Sequence, residues 1–265
     1  MYDFTYHKPA SVADAVKLLA ADPEARPIAG GQTLLPALKL RLNRPTAVVD
    51  LSGLTELRGI RREGNTIVIG AMTKHFEIAT SSDVKAAIPA LAHMASTIGD
   101  TQVRNRGTLG GSVANNDPSA DYPAALLALG ATIETDKRKL KAEDFFQGMF
   151  ATALDAGELV TAVHIPVPDK AGYAKMRNPA SRYSMAGVFV AKGPQGVRVA
   201  VNGAGASGVF RHAGMEQALA ANWSPQAVAN VSTDASRLNS DIHGSAEYRA
   251  HLIGVMAKRA VAEAG

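Results

Sequence analysis

Two glycine-rich segments constrain this chain more than any other feature of its sequence. The first, Ala29 to Leu35, follows a short strand-like run and precedes a helical one, and the second runs from Gly107 to Pro118. A buried diphosphate needs several converging backbone N–H groups, and glycine lets the backbone approach the oxygens without a Cβ in the way. The two segments therefore indicate a site for a phosphate-bearing ligand.

The spacing of these glycines excludes the two commonest nucleotide-binding motifs. Neither segment has the G-x-G-x-x-G spacing of a dinucleotide-binding Rossmann unit, and neither has the lysine of a P-loop. One Gly-Gly turn by itself is an ordinary way to end a strand, so the interpretation depends on the two segments together. We expect a nucleotide-binding fold of another kind.

The composition of the chain excludes several kinds of chemistry. The 265 residues are 46% hydrophobic, which allows one large or two moderate domains. The chain has no cysteine, which excludes disulfides, thiolate nucleophiles and ordinary iron–sulfur ligation, so any iron–sulfur cluster must come from another chain. The seven histidines show no helical ligand spacing, and we predict no metal site.

Charge and hydropathy indicate neither nucleic acid nor membrane as a partner. The net charge of +4 is small for this length, and the short basic clusters at 58–62 and 137–141 lack an aromatic stacking platform. We interpret them as solvated turns or partner-facing surfaces. No apolar run is long enough to span a bilayer, and the N-terminus lacks the pattern of a secretory leader. We therefore expect a cytoplasmic protein without a membrane span.

The order of predicted elements is that of an α+β protein. A helix begins at Ser11, a strand, turn and helix surround the first glycine segment with the helix over 34–42, and a hairpin covers 58–71. Ala124 to Leu129 fits either a helix or the start of a strand. The Pro- and Gly-bearing stretch 166–172 marks a boundary between domains 1–168 and 173–265. The second domain is predicted to hold an antiparallel sheet, with a further strand at 205–208, and a helix over 246–264.

Five runs of sequence carry a resemblance to a known family. They are Phe4-Thr5-Tyr6, Ala29-Gly30-Gly31-Gln32-Thr33-Leu34, Ile69-Gly70-Ala71-Met72-Thr73, Val103-Arg104-Asn105-Arg106-Gly107-Thr108-Leu109-Gly110-Gly111-Ser112 and Pro118-Ser119-Ala120-Asp121. With them the chain resembles, over nearly its whole length, the FAD-binding medium subunit of the molybdenum hydroxylases, the carbon monoxide dehydrogenase and xanthine dehydrogenase family. The resemblance implies a two-part PCMH-type FAD-binding domain followed by a smaller α+β C-terminal domain of the carbon monoxide dehydrogenase flavoprotein type.

The same resemblance assigns candidate FAD-binding residues. It places on the pyrophosphate and ribityl chain Ala29, Gly30, Gly31, Gln32, Thr33, Leu34, Thr108, Gly110, Gly111 and Ser112. It makes Asp121 an acidic FAD contact, lines the flavin with Leu159 and Lys175, and packs Ile98 on the isoalloxazine ring. Simple core packing remains the alternative for Ile98 and Leu159, and a loop-capping carboxylate remains the alternative for Asp121.

Two departures from the commoner family pattern limit what the resemblance implies. Many relatives have His-Ser after the first Gly-Gly and Asn after the second, where this chain has Gln32-Thr33 and Ser112. The replacements keep hydrogen-bonding capacity, so we expect FAD binding to persist, whereas carbon monoxide is not identified as the substrate. Neither loop contains histidine or cysteine, so we expect the FAD to be non-covalent.

The resemblance implies a division of labour among subunits. A large subunit with the molybdenum cofactor oxidises the substrate, and a small subunit with two [2Fe–2S] clusters passes electrons to FAD on this chain, which releases them to an acceptor. The implied assembly is a dimer of heterotrimers, and no residue of this chain is predicted to be catalytic. Arg177, Arg182 and Tyr183 lie either near the exposed flavin edge or in solvated loops. Two alternatives remain: a self-sufficient FAD oxidase or dehydrogenase of the same fold, and a flavin-free scaffold.

Overall fold

The computed structural model describes residues 1–264. Its helices are α1 (Val12–Ala21), α2 (Leu34–Lys39), α3 (His75–Thr80), α4 (Ser82–Ala87), α5 (Pro89–Ser96), α6 (Thr101–Arg104), α7 (Leu109–Asn115), α8 (Tyr122–Leu129), α9 (Ala142–Phe145), α10 (Ala213–Ala221) and α11 (Ala246–Glu263). Its strands are β1 (Thr5–His7), β2 (Arg26–Ile28), β3 (Ala47–Asp50), β4 (Ile60–Glu63), β5 (Thr66–Gly70), β6 (Thr132–Thr135), β7 (Lys139–Lys141), β8 (Phe146–Gly148), β9 (Ala151–Thr152), β10 (Val160–Pro166), β11 (Lys170–Arg177), β12 (Ser184–Gly193), β13 (Gly196–Asn202) and β14 (Phe210–Arg211).

The N-terminal part is a small parallel sheet in the order β1-β3-β2. Helix α1 connects β1 to β2, and its first turn is capped by Ser11, whose hydroxyl accepts a hydrogen bond of 3.1 Å from the amide of Asp14. Such a cap stabilises a helix by about 1 kcal/mol. Ala15 and Leu19 on its inner face are buried against Val49 and Leu51. Strand β2 ends directly at the first glycine segment, so this sheet places that segment.

The middle of the chain is an antiparallel sheet in the order β4-β5-β10-β6-β7. Strand β10 pairs with both β5 and β6. Since β5 precedes the second glycine segment in the chain and β6 follows it, both ends of that segment are attached to one sheet. Helices α5 and α8 pack in the core of this part. Every residue of α8 is buried, so its sequence is apolar without periodicity, which is why Ala124 to Leu129 alone did not distinguish helix from strand.

The C-terminal part is an antiparallel sheet in the order β11-β12-β13-β14, covered by α10 and α11. Val188, Val190 and Val201 face these helices. Tyr173 and Phe189 point the other way into the core shared with α8. The sheet changes between β10 and β11, but α8 contacts β12 and β13, so the two-domain division at 168 and 173 stays a prediction.

Two local predictions differ from the structure. The strand at 205–208 is wrong: Gly208 has φ +100° and its amide donates to the Gly205 carbonyl at 3.1 Å, so these residues form a turn before β14. The helix over 34–42 ends at Lys39, because Arg41 adopts φ +59°. The long polar segment around the second glycine run contains helices α6 and α7, capped by Asp100 and Thr108. None of the helices in the described part of the chain has the length and apolar content needed to cross a bilayer.

Candidate functional site

A cleft of about 530 Å³ lies where the parallel sheet, the five-stranded sheet and the C-terminal sheet meet. This volume is within the usual range for small-molecule and cofactor sites. The walls include all fourteen of the candidate residues, namely Ala29, Gly30, Gly31, Gln32, Thr33, Leu34, Ile98, Thr108, Gly110, Gly111, Ser112, Asp121, Leu159 and Lys175. They come from segments as far apart in the chain as β2 and β11.

The first glycine loop, residues 29–34, presents backbone donors to this cleft. Gly31 has φ +72°, a left-handed conformation that glycine adopts without strain. Among residues 1–264, no protein acceptor takes the amides of Gly31, Gln32 and Thr33. Three successive free amides beside the start of α2 suit the oxygens of a diphosphate.

The second glycine loop, residues 107–112, uses its amides inside the protein. Thr108 caps α7, and its hydroxyl accepts a hydrogen bond of 3.2 Å from the Gly111 amide. The amides of Leu109 and Gly110 donate to the carbonyls of Thr73 and Ala71 at 3.0 and 2.8 Å. This loop therefore offers side-chain hydroxyls and a glycine surface to the cleft, and its amides hold it in place.

The two loops lie against each other. A Cβ on Gly30 would come closer than 3.0 Å to the carbonyl oxygen of Arg106 and the Cα of Gly107, so that contact requires glycine. Gly111 faces the first loop, and a Cβ there would lie 3.6 Å from the Cβ of Ala29. The same Cβ would lie 2.9 Å from the Thr108 hydroxyl oxygen, so a side chain at Gly111 would enter the space between the loops.

A buried ion pair joins the far wall of the cleft to the C-terminal sheet. The Lys175 ammonium donates to the Asp121 carboxylate at 2.7 Å, and their side chains are 3% and 6% exposed. Asp121 also accepts hydrogen bonds from the Tyr173 hydroxyl and, at 3.4 Å, from the Asn202 amide. Burial and the Asp121 charge raise the pKa of Tyr173. Within the described residues Asp121 makes no side-chain cap to α8, and its role as an FAD contact or as a loop-capping carboxylate stays a prediction.

The positions of Ile98 and Leu159 fit both flavin contact and simple core packing. Leu159 is 4% exposed and belongs to the core under the parallel sheet, and Ile98 packs on the core of the middle part. Both also border the cleft. Their contact with a flavin ring therefore stays a prediction.

Sequence reasoning missed two titratable residues on the cleft wall. His75 is 95% buried by the fold, with its ring 5.3 Å from that of Tyr122, and its Nδ1 has no partner among the described residues. Burial, with the nearby Arg104 charge, lowers the pKa of His75 to about 4, so its imidazole is neutral. Burial favours a raised pKa for Glu158, but hydrogen bonds from Arg138, the Asp155 amide and Thr135 prevail and lower it to about 2. The signal for His75 was its position just after Ile69 to Thr73.

The loop between β11 and β12 closes one side of the cleft. Of the three residues predicted near the exposed edge, Arg182 and Tyr183 line the cleft, whereas Arg177 lies outside its lining. Burial raises the pKa of Tyr183, with smaller contributions from the charges of Asp117 and Asp121. Tyr183 is 53% exposed, so its ring lies at the mouth of the cleft.

Comparison with known proteins shows the family of this chain. A family model described as "FAD binding domain in molybdopterin dehydrogenase" matches residues 2–168. The carbon monoxide dehydrogenase medium chain of Afipia carboxidovorans is 37% identical, over 98% of this chain and 96% of its own. The glyceraldehyde dehydrogenase medium chain of Sulfolobus acidocaldarius is 42% identical, over 71% of this chain and 69% of its own.

This chain belongs to the FAD-binding medium subunits of the molybdenum hydroxylases. One chain of the solved structure of reconstituted carbon monoxide dehydrogenase from Oligotropha carboxidovorans superposes on this chain with a TM-score of 0.88. The two are 35% identical, and the match covers 99% of this chain and 98% of that one. The predicted α+β fold class is thereby confirmed, as is the family. The medium subunit is part of an oxidoreductase, and FAD is its cofactor.

The residues present in the cleft fit FAD. The three free amides of the first loop suit its diphosphate, and the gap left by Gly111 gives that group room. One of these relatives is named for carbon monoxide and the other for glyceraldehyde, although both are medium chains. The identity of the medium subunit therefore does not determine the substrate of the enzyme.

Proposed function

We propose that this chain binds FAD non-covalently between the two glycine loops and serves as the electron outlet of a heterotrimeric molybdenum hydroxylase. In this assembly a large subunit carries the molybdenum cofactor and a small subunit carries [2Fe–2S] clusters. FAD, when bound, takes electrons from those clusters and releases them to an external acceptor. The enzyme would assemble as a dimer of heterotrimers.

One observation carries this proposal: the fourteen residues assigned from sequence border a single cleft that also holds free backbone donors. The amides of Gly31, Gln32 and Thr33 are the proposed diphosphate ligands, and the hydroxyls of Thr108 and Ser112 are the proposed partners on the opposite side. The chain's own work is to bind and orient FAD and to restrict the access of water.

The division of labour with other subunits rests on what this chain lacks in sequence. It has no cysteine, so it supplies no thiolate ligand for an iron–sulfur cluster. Within residues 1–264 no group of three or more histidine and acidic side chains is arranged to hold a metal ion. A partner that carries the clusters is then needed to deliver electrons to FAD.

The direct test is the visible absorption spectrum of the purified chain, followed by heat release and chromatography of the chromophore. We expect released FAD in the wild type and its loss in Gly111→Val, where the side chain enters the space between the loops. Gly254→Val is the matched control, because nothing lies within 4 Å of a new Cβ at that position on α11. A folded wild-type chain that is colourless and takes up no added FAD would overturn the proposal and favour a flavin-free scaffold.

A further inference from the structure

The segment that follows α2 breaks two local rules of helix termination. The amides of Arg41 and Leu42 donate to the carbonyls of Leu38 and Ala37 at 3.1 and 2.9 Å, which is the Schellman pattern. The left-handed position of this motif is normally glycine, but here it is Arg41 at φ +59°. The next residue normally packs back on the helix, but Leu42 is 77% exposed.

A surface around this segment combines cations with exposed apolar side chains; we call it the Leu42 patch. Its members are Tyr2, Lys39, Leu40, Arg41, Leu42 and Arg44. Leu40 is 70% exposed, and the guanidinium groups of Arg41 and Arg44 lie 5.5 and 5.0 Å from the centre of the Tyr2 ring. The ring holds both cations in place before any partner arrives.

The cations of the Leu42 patch have no acidic partner within the chain. In the described part of the structure no carboxylate lies within 4.0 Å of Lys39, Arg41 or Arg44. The basic cluster at 137–141 differs, because Arg138 pairs with Glu158 and Lys139 with Glu134. Unpaired cations beside exposed leucines fit a partner surface that presents carboxylates around an apolar centre.

The position of the Leu42 patch favours one partner. Helix α2 begins at the first glycine loop, and the cleft is lined by Ala37, which precedes the patch on this helix, and by Asn43, which lies between Leu42 and Arg44. A chain docked on the patch therefore borders the cofactor site. The subunit that must lie beside FAD is the one that delivers electrons to it.

We propose that the Leu42 patch is the docking surface for an acidic, apolar-centred face of the small [2Fe–2S] subunit. This inference rests on the proposed function, since it takes the electron donor from there. It explains why an arginine occupies a strained backbone position and why two leucines remain exposed: their side chains are buried by the partner.

The test places the photo-reactive residue benzoyl-phenylalanine at Leu42 in the heterotrimer produced by co-expression of all three subunits. Ile242, which is 96% exposed in the C-terminal part, is the matched control position. Mass spectrometry identifies the cross-linked chain. We expect the [2Fe–2S] subunit at Leu42 and not at Ile242. Cross-links from Leu42 only to the molybdenum subunit, only to a second copy of this chain, or to nothing in an intact heterotrimer would overturn the proposal.

Charge reversal gives an independent measurement. We expect Arg41→Glu/Arg44→Glu to weaken binding to the co-expressed partners by roughly tenfold or more, with a smaller dependence of binding on salt. Lys258→Glu/Arg259→Glu makes the same charge change on α11 and should leave binding unaltered. Unaltered binding in the Arg41/Arg44 variant would contradict the proposal. FAD content is measured on each isolated chain, so a failure of FAD binding is distinguished from a failure of docking.

Discussion

Among the residues that the structure describes, none accepts a hydrogen bond from the amides of Gly31, Gln32 and Thr33 in the first glycine loop, whereas the amides of Leu109 and Gly110 in the second donate to neighbouring carbonyls. The first loop thus has free backbone donors, and the second loop, whose amides are bonded, forms a fixed wall of the cleft. The difference shows that glycine serves two purposes at this cleft. In the first loop Gly31 adopts a left-handed conformation while Gly30 packs against the second loop, and in the second loop Gly110 packs against Ala71.

The wall formed by the second loop continues to the C-terminal sheet. The chain runs from α7 to Asp121, whose carboxylate is held by Lys175 of β11. Within residues 1–264 no ion pair ties the first loop to that sheet. We therefore expect perturbations of the wall to change the stability of the protein, and perturbations of the first loop to change mainly FAD binding.

The largest effect is expected from Lys175→Met, which leaves the buried Asp121 carboxylate without its cation. Breaking a buried ion pair in this way costs about 3–5 kcal/mol. The free energy of unfolding is measured by urea denaturation followed by circular dichroism. Lys192→Met, at an exposed position on β12, is the control and should change it little. If Lys175→Met lowers the free energy of unfolding no more than Lys192→Met does, the ion pair does not stabilise this wall of the cleft.

The second-largest effect is expected from acidification, which should lower the free energy of unfolding through His75. His75 lies under this loop, and its amide donates to the Gly107 carbonyl at 3.0 Å. Its pKa is lowered from 6.5 to about 4 in the folded chain, so the unfolded chain binds more protons between these values. Stability therefore falls as pH drops through this range, by about 3 kcal/mol for this residue.

The check on that effect compares pH profiles of the free energy of unfolding for the wild type and His75→Leu. The difference between the profiles should grow from pH 6.5 to pH 4, because the variant lacks the titrating group. His251→Leu, at an exposed position on α11, should follow the wild type. Parallel profiles for the wild type and His75→Leu would show that burial does not depress the histidine pKa.

Gly110→Ala should have a smaller effect, through overpacking. A Cβ at this position would lie 2.5 Å from the Cβ of Ala71 and 2.9 Å from its Cα, so backbone must move. We expect a loss of about 1–3 kcal/mol in the free energy of unfolding. Gly254→Ala has open space and should be neutral or slightly stabilising. Equal behaviour of the two variants would remove the distinction between a packing glycine and an ordinary one.

The sequence predicted which residues line the cleft better than it predicted the hydrogen bonds among them. The family resemblance placed Gly30, Gly111 and Asp121 at one site, because their runs of sequence match those of the family, and all three line the cleft. The sequence could not show that the amide of Gly110 is bonded and that of Gly31 is free, since the acceptor at Ala71 is distant along the chain. Bond partners of this kind depend on tertiary packing.

The same reasoning explains what was missed around the cleft. His75 follows the run Ile69 to Thr73 but does not belong to it, and its low pKa arises from burial, which only the fold creates. The strand expected at 205–208 was wrong because Gly208 takes a left-handed conformation, and a run of small residues does not reveal it. In contrast, Ser11 and the helix it caps were predicted correctly, because cap and helix are neighbours in sequence.

Gly31→Ala should produce the smallest change in stability and the clearest change in ligand binding. A Cβ at this position meets side chains alone, at 2.8 Å from Leu35 Cδ1 and 3.5 Å from Ile28 Cδ1, so the main penalty is the left-handed backbone, about 1 kcal/mol. Amide hydrogen exchange then distinguishes the two loops directly. In the wild type the amides of Gly31, Gln32 and Thr33 should exchange slowly only when FAD is bound, whereas those of Leu109 and Gly110 should be slow with or without it. In Gly31→Ala the first loop should lose much of its FAD-dependent protection and the second should keep its own. Equal exchange in both loops, before and after FAD, would mean that the free amides do not bind the cofactor, because no diphosphate would then be there to slow them.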